Sequence, residues 1–140
     1  MEKKKIHLQI ITPRGLKIDE RADMVVMRCV NGDMGILAGH EETSAALGDG
    51  ILRIINDGVE QKIALFGGAA IVKDDKVSIL TSIAQRPDEI DLTRAEGDRK
   101  QAELLLQERS DDLKMQSYQI LLRRALVRIE VSVYPQDEDD

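Results

Sequence analysis

Residues 66–95 read FGGAAIVKDDKVSILTSIAQRPDEIDLTRA, and the grammar of the chain changes inside that stretch. Before Pro87, apolar β-branched runs such as residues 77–80 are short and are broken by a charged turn, Lys73-Asp74-Asp75-Lys76. Runs of this kind suit a pleated, half-buried surface, and the turn closes a hairpin. After Pro87, Asp91 is placed to cap a helix, and residues 92–108 contain no proline and mostly good helix formers. The stretch therefore joins a β domain to a helical one.

Toward the N-terminus the β grammar continues. Nine of the ten glycines lie within residues 15–68, and only Gly97 lies beyond. Ile6, Leu8 and Ile10 alternate with His7 and Gln9, and further apolar runs occupy residues 24–29, 51–55 and 63–66. Asn31-Gly32 and Asp57-Gly58 are hairpin signals, because a type I′ turn needs φ > 0 at both central residues. Short strands at this spacing, with no helical pattern between them, predict an all-β sandwich over residues 1–86.

Toward the C-terminus the pattern is helical. Ala95, Ala102, Leu105 and Leu106 form one apolar stripe, and Ser110-Asp111-Asp112 reads as a turn and a second cap. Met115, Tyr118, Leu122, Ala125, Leu126 and Ile129 then recur at steps of three and four. Two helices joined by so short a turn make an antiparallel hairpin over residues 87–133. Residues 134–140 read as a frayed acidic tail carrying four of the carboxylates. The expected fold class is α+β, a sandwich followed by a two-helix hairpin.

Composition narrows the function. The chain has 140 residues, 42% apolar and 33% charged, with a net charge of −6. Aromatics are 2%, too few for base-stacking platforms, and the negative charge opposes a phosphate-backbone binder, so no nucleic-acid partner is expected. One cysteine, Cys29, and two histidines, His7 and His40, supply neither a disulfide within the chain nor a structural zinc set. No run approaches the roughly 20 apolar residues of a membrane span, and the opening residues lack the cleavage site of a signal peptide. A soluble, intracellular protein without direct membrane insertion is expected.

Candidate sites are few. His40-Glu41-Glu42 is the one place where a histidine meets carboxylates; it is either a general-base cluster or a surface loop. Gly32, Gly35 and Gly39 are spaced like a phosphate loop but do not open a helix, so loop geometry accounts for them. No catalytic residue and no metal site is expected. Arg123, Arg124 and Arg128 lie on the second helix. They are either a solvated basic face or an anion clamp, since guanidinium forks suit phosphate and carboxylate. In an antiparallel hairpin Arg94 would approach Arg124 and Arg128. Gly97 costs a helix about 1 kcal/mol relative to alanine. It marks either a close helix contact, an indifferent position, or a helix kept weak.

Four segments taken in order carry a family resemblance: NGDMGILAGH at residues 31–40, GDGILRI at 48–54, FGGAAIVKDDKVSIL at 66–80 and IDLTRA at 90–95. With the helical hairpin behind them, they resemble the epsilon subunit of the rotary ATP synthase over essentially the whole chain. Ala38 stands where that family usually has proline. The resemblance implies a non-catalytic rotor-stalk subunit that couples ion flow to ATP synthesis, peripheral on the cytoplasmic face of the plasma membrane. It implies a sandwich docked on the gamma subunit and on the membrane ring, with Asn31, Gly32, Asp33 and His40 near those contacts. It also implies a hairpin that permits turnover when folded and inhibits ATP hydrolysis when extended toward the alpha/beta hexamer, where Arg123, Arg124 and Arg128 would meet a beta subunit. As one continuous helix, residues 88–133 would reach roughly 70 Å, against roughly 27 Å for each folded arm.

The resemblance implies no required cofactor, with ATP as a regulatory ligand in some members. Ile90, Asp91, Arg94 and Ala95 match their motif, and Arg124 and Arg128 match the arginines of the second helix. Gln85 replaces a glutamate and Gln101 an arginine, which predicts weak ATP binding, high-micromolar to millimolar by order of magnitude, or none. A stand-alone nucleotide sensor and an enzyme using His40 are the competing readings.

Overall fold

The computed structural model describes residues 4–108 and 110–138. Strands β1 (Ile6–Thr12), β2 (Gly15–Ala22), β3 (Met24–Cys29) and β4 (Gly32–Leu37) are short; β5 (Thr43–Asn56) and β6 (Val59–Lys73) are long. β7 (Lys76–Leu80) and β8 (Ala84–Gln85) complete the sandwich strands. The hydrogen-bonded order is β2-β1-β7-β6-β5-β3-β4, antiparallel except for β1 with β7.

β5 and β6 serve both layers of the sandwich. Residues 43–47 of β5 pair with 68–72 of β6 in the layer that holds β1, β2 and β7. Residues 49–56 pair with 59–66 in the layer that holds β3 and β4. The crossing points are glycine-rich. Gly67 and Gly68 have φ of 71° and 118°, a backbone that side chains rarely adopt. A Cβ on Gly68 would lie 2.2 Å from the Leu80 carbonyl oxygen. Between the layers, alternate residues of each strand form one core, including Ile6, Leu8, Ile10, Val25, Met27, Leu52, Ile54, Ile63 and Ile79.

The hairpin signals resolve unequally. Asp57 and Gly58 both have positive φ, as do Asp74 and Asp75, so both two-residue turns have the expected hand. The β3–β4 hairpin forms too, but there positive φ falls on Gly32 alone, at 120°. Gly32 is already the strand residue opposite Cys29, so the turn is made by Val30 and Asn31 and glycine relieves the entry to β4.

Asp75 ties three elements together. Its carboxylate accepts the Gly39 N–H at 2.7 Å and pairs with Lys4 Nζ at 2.7 Å, while its carbonyl accepts from His7 N at 2.9 Å. The Gly39 bond, followed by Lys4, holds the carboxyl below the usual carboxylate range.

A 3-10 turn, Pro87–Glu89, leads into α1 (Leu92–Gln107) and α2 (Asp112–Val133). Asp91 caps α1 by accepting from Arg94 N at 3.1 Å, and Asp111 caps α2 by accepting from Lys114 N at 2.9 Å. The helices pack as an antiparallel hairpin around Ala95, Ala102 and Ala125. Leu126 departs from the expected seam and is 47% exposed, because α2 also presents Val127 and Val131 to the sandwich. There Val131 meets Ala64 and Phe66 on the outer side of β6. β6 is thus apolar at consecutive positions because both of its faces are covered.

The tail differs from expectation. β9 (Gln136–Glu138) pairs antiparallel with Val59, Glu60 and Gln61 of β6, and Lys62 N donates to the Pro135 carbonyl at 3.1 Å. Pro135 holds the chain extended, and this edge of β6 has open ladder positions to satisfy. Residues 139 and 140 of the expected tail lie outside the described residues.

A Cβ on Gly97 would meet nothing within 4 Å, so no close helix contact requires it. Gly97→Ala should raise stability by up to about 1 kcal/mol, and Gly68→Ala should lower it by more than about 2 kcal/mol, both read from urea midpoints. Because the Asp75 carboxyl is depressed, its bonds stabilise the fold above the ordinary carboxylate range and are lost as pH falls through its lowered value. Acidification below pH ~4 should therefore lower the protection of the Gly39 amide relative to its intrinsic exchange rate at the same pH. Asp75→Asn should show that loss of protection already at neutral pH.

Candidate functional site

The charged face of α2 lies against the sandwich. Arg123 and Arg124 both donate to Asp49 Oδ2, at 3.2 and 3.0 Å. Asp49 sits between Gly48 and Gly50 on β5, and its side chain is only 7% exposed. Arg128 donates from Nε to Gln85 Oε1 at 2.7 Å. The guanidinium carbons of Arg124 and Arg128 stand 5.3 and 4.5 Å from the Phe66 ring centroid. Such stacking is worth about 0.5–2 kcal/mol per pair, more as water is excluded. Burial, then the neighbouring Arg124, lowers the Arg128 pKa, with Asp98 opposing.

Beside this face a cleft of about 250 Å³ is lined by Gln85, Glu89, Asp91, Arg94, Ala95, Asp98 and Arg128. Arg94 and Arg128 therefore share one cleft, whereas Arg124 is turned to Asp49. Ala95 is buried within the hairpin, on α1, and Ile90 packs with Phe66 and Val131. Asp91 lines the cleft with one carboxylate oxygen engaged as the α1 cap. Glu89 is held below the usual carboxylate range, chiefly by Lys17 at 2.6 Å and then by the Arg86 N–H. Gln101 is exposed on α1. The cleft can hold an anion against two guanidiniums, but two aspartates already share it.

The positions tied by resemblance to partner contacts are not one patch. Asn31, Gly32 and Asp33 are exposed at one end of β4, where Asp33 pairs with Arg28. His40 follows the other end, roughly 20 Å away along the strand. His40 Nδ1 donates to the Glu41 carbonyl at 2.8 Å, which is loop geometry. Cys29 is buried, and burial pushes its thiol up. Among the described residues no group of three His, Cys, Asp or Glu is arranged to hold a metal ion. No described helix is long and apolar enough to cross a membrane.

Two features escaped the sequence reading. Asp49 and Phe66 carry the arginine face, and the available signals were a carboxylate flanked by glycines and the only phenylalanine in the chain. The second feature is an apolar row on the outer side of the first layer. The register places Leu16, Ile11, Leu80, Ala69 and Ala46 side by side across five strands. Leu16 is 55% and Leu80 47% exposed, and Ile71, one row away, is 45% exposed. Contiguous apolar surface of this kind marks an interface more often than a solvated face.

Comparison with known proteins matches both parts of the chain. Residues 5–87 match the ATP synthase delta/epsilon chain beta-sandwich domain, and residues 88–132 match the long alpha-helix domain of the same chain. The ATP synthase epsilon chain of Bacillus velezensis is 38% identical over 129 residues, covering 92% of this chain and 98% of that one. That of Herpetosiphon aurantiacus is 39% identical over 127 residues, covering 91% and 93%. A chain in the cryo-EM structure of the Euglena gracilis mitochondrial ATP synthase, OSCP/F1/c-ring, superposes with a TM-score of 0.77 at 26% identity, covering 95% of this chain and 89% of that one. A chain of the Tetrahymena thermophila mitochondrial ATP synthase central stalk and c-ring shares the fold at a TM-score of 0.58 and 18% identity, covering 95% and 98%. With both its sandwich and its helical hairpin accounted for, the chain belongs to the epsilon-chain family of the ATP synthase, as a non-catalytic subunit of the central stalk.

Proposed function

We propose that this chain couples and regulates the rotor through two separate surfaces: a sandwich face fixed on the stalk and a hairpin that can leave the sandwich. The observation that carries the reading is the thin attachment of the hairpin. Its apolar contact with the sandwich is made by Val131 and half-buried Val127 around Ala64 and Phe66, with Ile51, Ile83 and Ile90 beside them. Next to it stands arginine chemistry on Asp49, Gln85 and Phe66. Burying one such apolar side chain stabilises by roughly 1.5–3 kcal/mol. A contact to which α2 brings two such valines, one of them only half-buried, suits a two-state element. Leu104, Leu113 and Ile120 remain exposed on the hairpin, ready for a different partner.

The gamma subunit is the partner for the apolar row. The loop that carries His40, pinned by Asp75, is the contact for the membrane ring. In the extended state Arg123, Arg124 and Arg128 exchange Asp49 and Gln85 for acidic residues of a beta subunit, and hydrolysis is inhibited. The protein then works peripherally, on the cytoplasmic face of the membrane. ATP is a regulatory ligand of the Arg94–Arg128 cleft, and a weak one. Gln85 offers Arg128 a neutral acceptor where a carboxylate would add charge assistance, and Gln101 places no guanidinium on α1.

Pull-down with the gamma subunit of the same organism should succeed. Leu16→Asp with Leu80→Asp should weaken it at least about tenfold, and unaltered capture would remove the row from the interface. Calorimetry of the full chain should show ATP binding with a dissociation constant from about 0.1 mM to several millimolar, lost in Arg128→Ala. Absence of heat across that range would remove nucleotide from the mechanism and leave the arginines to protein contacts.

A further inference from the structure

The arginine face already holds an anion. Asp49 is the only carboxylate among the described residues to which α2 arginines are hydrogen-bonded, and it receives two of them on one oxygen. Its neighbours Gly48 and Gly50 leave room for the Arg28 side chain of β3, and α2 covers Asp49 down to 7% exposure. The burial is conditional: it is the hairpin that excludes water from this carboxylate. When α2 lifts away, Asp49, Arg123 and Arg124 all regain water together. A permanently buried ion pair, once broken, strands an unpaired charge. This one does not, so it can open and close reversibly.

We propose that Asp49 acts as an internal stand-in for an anionic ligand: its carboxylate occupies the arginine face and closes the hairpin without nucleotide. The proposal deepens the regulatory reading given above and rests on it for the hairpin's ability to leave the sandwich. Arg124 serves two alternatives, since a phosphate bound beside Arg94 and Arg128 recruits it only by drawing it off Asp49. The closed state is then the resting state of the chain, and a phosphate ligand adds little to it. An acidic partner surface competes directly with Asp49, so the affinity of that partner is set against an intramolecular carboxylate.

The test is Asp49→Asn in the full chain, which keeps shape and one acceptor while removing the charge. Spin labels attached through Lys73→Cys and Ser110→Cys, in a Cys29→Ser background, report the separation of sandwich and hairpin tip. The ratio of open to closed hairpin should rise at least about tenfold in Asp49→Asn, while Asp49→Glu stays near the parent. Arg123→Ala should open the parent but add nothing to Asp49→Asn, which separates loss of the pair from local damage to β5. An Asp49→Asn hairpin as closed as the parent overturns the proposal, as does a full additional effect of Arg123→Ala. If Asp49→Asn opens the hairpin and millimolar ATP does not reclose it, the internal anion stands and the nucleotide reading falls. If the parent and Asp49→Asn are both fully closed and Val131→Asp does not open them either, the detachable hairpin itself is wrong.

Discussion

Strand β6 is the member on which the rest of the structure depends, because it is buried on both faces at once. Ile63 and Leu65 point into the sandwich core, and Ala64 and Phe66 point out beneath α2. A strand with both faces covered is held in register more firmly than one with a solvent side. β6 therefore fixes three things together: the closure of the two layers, the seat of the second helix, and the edge that accepts β9. Its bend at Gly67 and Gly68 lets one strand take part in both layers. The Leu80 carbonyl fills the space a side chain would need at Gly68. The hairpin is thus docked on a strand whose two faces are both covered.

Much of the architecture was legible because it rests on local signals. Alternation over Ile6, Leu8 and Ile10, the aspartates that cap each helix, and the positive-φ pairs at Asp57-Gly58 and Asp74-Asp75 each follow from a few neighbouring residues. The errors arise where distant segments meet. Leu126 fitted the helical period but is exposed, because α2 divides its apolar surface between α1 and β6. The acidic end looked frayed, because nothing in residues 134–140 announces an open strand edge some 75 residues earlier in the chain. Asp49 gave no sign of its role, because its two cationic partners lie 74 and 75 residues away. The arginines were readable as a set, but what they touch was not.

The hairpin's small hydrophobic attachment is a physical requirement for a switch. A helix pair that buried a full apolar face would be held too strongly for partners to move, since shifting a two-state equilibrium from 1:99 to 99:1 needs about 5.5 kcal/mol of differential binding. Alanines at the α1–α2 contact keep that interface narrow, and α2 brings two valines, Val127 and Val131, to the sandwich contact around Phe66. The exposed leucines and isoleucine of the hairpin are surface that a second conformation can bury. Gly97, free of any steric demand, weakens α1 in the same direction.

Electrostatic balance around the cleft underlies the closure without nucleotide proposed above. Burial, then Arg124 and more weakly Arg94, destabilises Arg128 as a cation, while Asp98 and Asp49 oppose them. Asp49 accepts from Arg124, and Glu89, Asp91 and Asp98 line the cleft that holds Arg94 and Arg128, so carboxylates stand around the guanidiniums within the fold. An arginine cluster without such neutralisation would hold phosphate as a structural counterion. Here the sandwich holds Arg124 through Asp49, and in the proposed competition a phosphate gains that guanidinium only by displacing Asp49. Replacing one anion by another at the same guanidinium gains only the difference between two charge-assisted bonds, far less than filling an empty clamp. In the closure proposed above, the charges that hold the hairpin are therefore the same charges an incoming ATP competes with.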